Sequence, residues 1–262
     1  MKRNTKQTTK QQYNRNGAVL HESDSIVVIA TGLTTKSANE KTGDMVQIWI
    51  LPRTISPLDA VRTGNDDVVC GNCKHMGEMV MLSDGSMKRV NRRCYVDVGK
   101  APQGIWKAYT NNRYRRVTEA DYGKLFTGRK VRFGAYGDPA FMPLAIVEAI
   151  AKVAAGHTGY THQWLDAAHH GLSAYVMASV DGNEVAPQGW RYFRVRAPQD
   201  LAILPNEIRC PASAEAGKRT TCTDCRLCDG SKGESDRRKS IVILDHSAIR
   251  NSNPLFQITA AA

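Results

Sequence analysis

The sequence predicts an α/β fold, a partial or complete (β/α) barrel of mainly parallel strands. Apolar runs of strand length alternate with stretches of helical periodicity, which is the pattern of βα units. Seven such strands with helices interleaved suit a barrel better than an open doubly wound sheet. Neither a GxGxxG motif nor a P-loop Lys–Ser/Thr pair occurs, so nucleotide-binding versions of the open sheet lose their signature. With 262 residues, 42% of them hydrophobic, the chain can bury one substantial core.

Residues 1–20 read as a disordered basic tail, because Lys2, Arg3, Lys6, Lys10 and Arg15 stand among Gln, Asn and Thr without an acid up to residue 17. Residues 21–262 are then a single barrel-like domain with inserts at about 65–96 and 210–239. The first strand is Met45–Leu51 (MVQIWIL), and a cysteine-bearing hairpin insert follows it. In that insert Glu78–Leu82 and Lys88–Tyr95 flank the turn Ser83-Asp84-Gly85-Ser86. Helices are expected over Gly104–Asn112 and Glu119–Phe126, then a strand at Lys130–Tyr136. The clearest helix runs from about Pro139 to Ala155, with Glu148 and Lys152 spaced i,i+4 and Gly156 as its stop. A strand over His157–His162, a short helix Trp164–His170 closed by Gly171, and a strand over Leu172–Val180 repeat the pattern. Strands at Trp190–Arg196, Asn206–Arg209 and Ser240–Leu244 (SIVIL) complete the set, with a cysteine-rich loop between the last two.

The seven cysteines fall into two groups. Cys70-Gly-Asn-Cys73 is followed after twenty residues by Cys94, and Cys210 is followed by Cys222-Thr-Asp-Cys225-Arg-Leu-Cys228. The polar start Met1-Lys2-Arg3-Asn4-Thr5-Lys6 leads into no apolar stretch of signal-peptide length, and no run approaches the roughly 18 apolar residues of a membrane span. A cytoplasmic protein is expected. An odd number of thiols in a reducing compartment speaks for metal ligation rather than disulfides. The C-x-x-C-x-x-C run wraps three corners of a cubane in bacterial-type ferredoxins, and Cys210 can supply the fourth ligand. Cys70, Cys73 and Cys94 would keep an open coordination position, as reactive centres do, unless His75 closes it. A [4Fe-4S] cluster or zinc suits either group, and spacing also permits Cys210 to join the first three.

The net charge of +11 points to a polyanionic partner, a nucleic acid or nucleotide. The basic clusters are Lys88-Arg89 with Arg92-Arg93, Arg113 with Arg115-Arg116, Arg129-Lys130 with Arg132, and Arg237-Arg238-Lys239. Each can equally be a solvated face.

Four segments together carry a resemblance: Cys94-Tyr95-Val-Asp-Val-Gly-Lys-Ala-Pro-Gln-Gly-Ile-Trp106-Lys-Ala-Tyr109, Arg132-Phe-Gly-Ala-Tyr136-Gly-Asp138-Pro139, Thr158-Gly-Tyr160-Thr-His162-Gln-Trp164 and Cys210-Pro-Ala-Ser. Over roughly residues 65–245 the chain resembles the phage proteins related to gene product eighty-eight of mycobacteriophages. Those are distantly similar to radical S-adenosylmethionine enzymes, whose partial barrel carries its cluster cysteines after the first strand. The resemblance implies an iron–sulfur cluster at Cys70, Cys73 and Cys94, with S-adenosylmethionine as a cofactor. Placement agrees, whereas the spacing C-x-x-C-x20-C departs from that family's C-x-x-x-C-x-x-C.

In a barrel the chemistry sits at the C-terminal strand ends. This nominates Asp138, His162, Arg194 and Glu207 as catalytic residues, with Ser179, Arg196, Asp245 and His246 nearby. Plainer roles compete. Asp138 before Pro139 is a natural helix cap. His169 and His170 suit a helix C-terminus. Trp106, Trp164 and Trp190 suit packing, and Ser179 and Ser213 lack a base at diagnostic spacing. The expected function is therefore a phage-type metal- or iron–sulfur-dependent enzyme acting on a nucleotide or nucleic acid. The alternatives are a zinc-stabilised nucleic-acid-binding protein without catalysis and a phage–host interaction protein.

Overall fold

The structure, a computed structural model, describes residues 13–37, 39–196 and 202–245. Its first strands are β1 (Gly17–Glu22), β2 (Ile26–Thr31) and β3 (Met45–Pro52), a meander in which each strand pairs antiparallel with the next. β1 takes up residues 17–20, so the expected basic tail is shorter than residue 20 by at least those positions. The sequence IVVIAT of β2 is apolar throughout because both of its faces are covered, and five of its six residues are buried.

The excursion after β3 holds α1 (Pro57–Thr63) and the single turn α2 (Asp67–Cys70). The hairpin follows, with β4 (Glu78–Met81) paired antiparallel to β5 (Met87–Val90). Next come α3 (Ala101–Thr110), the two-residue strand β6 (Arg115–Arg116) and α4 (Tyr122–Phe126). β7 (Lys130–Tyr136) runs parallel to β3.

The expected Pro139–Ala155 helix is divided. A 3-10 turn Pro139–Phe141 precedes α5 (Leu144–Val153), because Pro143 forces Met142 into an extended conformation (φ −95°, ψ 149°). The expected His157–His162 strand is divided too, into β8 (Gly156–Thr158) and β9 (Tyr160–Thr161). β8 closes a six-stranded sheet of order β6-β1-β2-β3-β7-β8, whereas β9 opens a second sheet. Gly159 is the crossing point: its N–H donates to the Cys228 carbonyl (3.1 Å), and its own carbonyl accepts from Met177 N (3.0 Å).

A 3-10 helix over Ala167–Ala174, capped by Asp166, replaces the first part of the expected Leu172–Val180 strand. The remaining elements are β10 (Met177–Asp181), β11 (Tyr192–Arg196), β12 (Glu207–Arg209), α6 (Cys222–Cys225) and β13 (Ser240–Leu244). They form a five-stranded, wholly parallel sheet in the order β12-β13-β11-β10-β9, with the last strand inserted between two earlier ones. The fold is thus mixed α/β with mostly parallel pairing. Its two larger sheets meet at Gly159, the β4–β5 hairpin is a third, and among the described residues no single ring of hydrogen bonds closes them.

The main core packs β2, β3, β7 and β10 against α4, α5 and Trp164. A smaller core gathers Met177, Ile241, Ile243, Cys210 and Cys228 on one face of the second sheet.

Candidate metal centres and the cleft beside them

The turn at the end of α2 carries Cys70 and Cys73, and Cys73 N donates back to the Cys70 carbonyl (3.2 Å). Cys94 joins them through the backbone, since Arg93 N and Cys94 N both donate to the His75 carbonyl (3.0 and 2.9 Å). Gly71 inside the turn has φ +52°, and a Cβ there would meet the Gln163 side-chain oxygen at 2.6 Å. Gln163 holds the turn by donating to the Cys70 carbonyl (3.1 Å) and accepting from Asn72 N (3.2 Å). Burial, and then the neighbouring sulfurs and carboxylates, push the Cys70 thiol well above its ordinary value and Cys73 to about 12. Thiols so placed ionise only when a cation offsets the charge. Tyr136 lies against Cys70 and Cys94, and its hydroxyl is buried without a hydrogen-bond partner among the described residues. Three soft donors beside an orphaned hydroxyl fit a metal or iron–sulfur group larger than the side chains alone can surround.

The second group is assembled around β9, β12 and β13. Cys210 follows β12 and is held by its N–H to the Val242 carbonyl (2.9 Å). Cys222 and Cys225 stand at the two ends of α6, whose Thr221 cap accepts from Asp224 N. Cys228 is buried under the Tyr160 hydroxyl, which bonds its sulfur. Burial raises the Cys210, Cys222 and Cys228 thiols, and each of the three lies within electrostatic reach of another sulfur of its group. The structure therefore groups the sulfurs as three and four, with Cys210 in the second set. The loop carrying Cys228 hangs on buried Arg191, which donates to the carbonyls of Leu227 (2.8 Å), Gly230 (3.0 Å) and Lys239 (2.7 Å).

Arg132 links the two groups. It donates to the Tyr95 hydroxyl (2.6 Å), one residue beyond Cys94, and sits in the field of Cys222 and Tyr160, which outweighs its burial and raises its pKa. In sequence Arg132 reads only as part of a basic cluster. Its position on β7, one residue from buried Val131 and Phe133, is the signal that turns it to the opposite face.

A cleft of about 150 Å³ opens beside the first group, lined in part by Asn72, His162, Ser179, Asp181 and Glu184. His75 Nε2 lies 2.9 and 3.1 Å from the Asp181 oxygens, and the His75 and His162 rings meet edge-on with centroids 5.5 Å apart. Asp138 caps the Pro139 turn by accepting from Ala140 N (3.0 Å), and its other oxygen accepts from His162 N (2.7 Å). Burial holds His162 below the ordinary imidazole value, with Asp138 pulling the other way. Burial alone would raise Asp181, yet the hydrogen bond and charge of His75 leave it below the usual carboxylate range.

Of the four residues nominated as catalytic, His162 lines this cleft, and Asp138 is buried behind it, holding the His162 backbone. Arg194 and Glu207 do not line it: they form a buried bidentate pair (Nε–Oε1 2.6 Å, Nη2–Oε2 2.5 Å). Their strand neighbours Phe193, Val195 and Ile208 pack with Cys210 and Cys228, so period-two alternation turns Arg194 and Glu207 to the opposite face. Proximity to a strand end did not decide their role; face parity did. Asp245 binds Arg93 of the first insert, and His246 lies outside the described residues. Ser213 caps the turn Ala214–Ala216, and the indole N–H groups of Trp106 and Trp164 donate to backbone carbonyls. Asp181, which no motif marks, was missed.

A wider cleft of about 1140 Å³ lies elsewhere, lined by Tyr13, Arg15, Arg113, Arg115 and Lys124 among others. None of its lining residues is acidic, although Arg115 pairs with Asp121 (3.8 Å) behind it. Among the described residues no helix is long and apolar enough to cross a membrane. No family model, curated protein or solved structure matches the chain.

Proposed function

We propose that this is an iron–sulfur-dependent enzyme of the phage-protein type described above, with Cys70, Cys73 and Cys94 at its reactive centre. Cys210, Cys222, Cys225 and Cys228 hold a second, structural cluster. The observation that carries the reading is the three-plus-four grouping of sulfurs, with the incomplete set beside a polar cleft. Spacing favours clusters over single zinc ions. Zinc bound through sulfur at about 2.3 Å draws its thiolates to within about 4 Å of one another. Among the described residues, no three cysteine sulfurs meet even a 4.8 Å spacing. In this reading the two sheets act as a partial barrel whose thiol-bearing face is the inside, and His162 and Asp138 serve the substrate beside the first centre. S-adenosylmethionine is the co-substrate that the resemblance would supply.

Protein purified without oxygen should be brown, with broad visible absorption from thiolate-to-iron charge transfer and matching iron and sulfide. Colourless protein with stoichiometric zinc would overturn the reading.

The basic cleft favours a nucleotide or nucleic acid as substrate or partner, because cations without lining acids attract phosphate. The same cleft supports the non-catalytic alternative, a zinc-stabilised nucleic-acid-binding protein, and the metal content separates the two.

A further inference from the structure

We infer that His75, His162 and Asp181 form a separate binding site for one first-row divalent cation, with nitrogen and oxygen donors, beside the cysteine centre. One ligand atom from each lies within 4.8 Å of the others. His75 comes from the insert, His162 from the end of β9 and Asp181 from the end of the neighbouring strand β10, so the site ties the insert to the ends of two paired strands. The 2.9 Å separation of His75 Nε2 and the Asp181 carboxylate is already that of adjacent ligands on an ion bound at about 2.1 Å. A cation can therefore replace that hydrogen bond with a rotation of the side chains and no shift of the backbone.

The third donor is waiting. His162 Nε2 is buried and has no hydrogen-bond partner among the described residues, a cost that ligation removes. Burial holds its ring below the ordinary imidazole value, which favours the neutral form that a ligand needs. Carboxylates hold the backbone beneath two of the ligands in place. Asp138 accepts from His162 N (2.7 Å), with its carboxylate 3.9 Å from Nδ1. Asp181 N donates to Glu184 (2.7 Å), and Glu184 is paired to Lys74, which sits between Cys73 and His75. Two imidazoles and one carboxylate suit Mn²⁺, Fe²⁺ or Zn²⁺ and leave coordination positions facing the cleft. The cation would hold an anionic or carbonyl-bearing substrate group next to the thiols. The site uses none of the seven sulfurs and stands whether or not they hold clusters.

Mn²⁺ is the probe of choice, since it prefers nitrogen and oxygen to thiolate and its free form has a distinct electron paramagnetic resonance signal. The full-length protein should remove one equivalent of that signal, and the bound ion should show coupling to imidazole nitrogen. His162→Gln and Asp181→Asn should each weaken binding at least about tenfold, and Asp138→Asn by about tenfold or more through loss of the oriented ring. Lys107→Ala, an exposed position on α3, should bind as the parent does. An unchanged Mn²⁺ signal with the parent protein, bound Mn²⁺ without nitrogen coupling, or undiminished affinity in folded His162→Gln would overturn the inference. Iron and sulfide measured on the same samples report on the cysteine centres independently.

Discussion

Arg194 and Glu207 illustrate how completely a local partner can claim a reactive-looking side chain. The carboxylate occupies the Nε–Nη2 edge of the guanidinium, Nη1 donates to the Gly182 carbonyl (3.1 Å), Glu207 also accepts from Leu204 N (2.9 Å), and both side chains are at least 95% buried. The arginine outweighs burial and holds Glu207 below the usual carboxylate range. Removing one member strands the other charge in the interior, which costs about 3–5 kcal/mol. Glu207→Ala should therefore lower stability by that order in chemical denaturation, with metal content per folded chain unchanged. If instead it abolished activity at full stability, the residue would be catalytic after all. Glu22 is a milder case. It accepts from Tyr109 Oη (2.6 Å) and from Arg116 Nε (2.6 Å), tying α3 and β6 to the first strand. Burial works to raise its pKa, but Arg116 and Tyr109 win and lower it from 4.5. The unfolded chain thus takes up the proton first, so this tie contributes stability above pH 4.5 and loses it as pH falls through the lowered native value. Arg116 is largely exposed, so the effect should stay below about 1 kcal/mol. Unfolding curves of parent and Glu22→Gln should converge below that range and separate above it.

At the scale of elements, Gly159 decides the path between the sheets. A Cβ there would approach Val176 Cγ1 to 2.6 Å and Phe133 Cβ to 3.1 Å, both side chains of the main core. Gly159→Ala should cost about 1–3 kcal/mol through overpacking, read as a lower denaturation midpoint. Lys130–Tyr136, where buried and half-buried residues alternate, has the expected bounds, as does the apolar run Ser240–Leu244, and the Ser83–Ser86 turn closes the expected hairpin. The strand IVVIAT was not read, since an apolar run covered on both faces carries no period that separates strand from helix, and Ser240–Leu244 shows that such a run can still be read correctly. Nor was the division of residues 157–162 legible, since a run that changes sheets keeps its β propensity across the bend. Spacing separated Cys70, Cys73 and Cys94 from Cys222, Cys225 and Cys228 but left Cys210 open to either set. Asp181 and Arg132 were not legible, because their roles depend on which strands become neighbours and which face each presents.

Across the whole molecule, positive charge is uneven. The cleft formed by Arg15, Arg113, Arg115 and Lys124 lies by the β6–β1 edge, while Arg132, Arg191 and Arg194 are spent on internal contacts. Net charge therefore overstates what a polyanion meets. Single-stranded nucleic acid should bind with affinity falling as salt rises, and each of Arg15→Ala, Arg113→Ala and Lys124→Ala should reduce the slope of log affinity against log salt by about 0.7. Unchanged slopes in all three would place the contact elsewhere.

The insertion of β13 between β11 and β12 has a consequence in time. On the ribosome the Cys70–Cys94 segment emerges early, and the strands it leans on, β3 and β7, follow one another within the first 136 residues. Cys210, by contrast, is held to Val242 of β13, and among the described residues β12 has no neighbour in its sheet other than β13. The three-sulfur set therefore leans on strands that precede, in chain order, the strand on which the four-sulfur set depends.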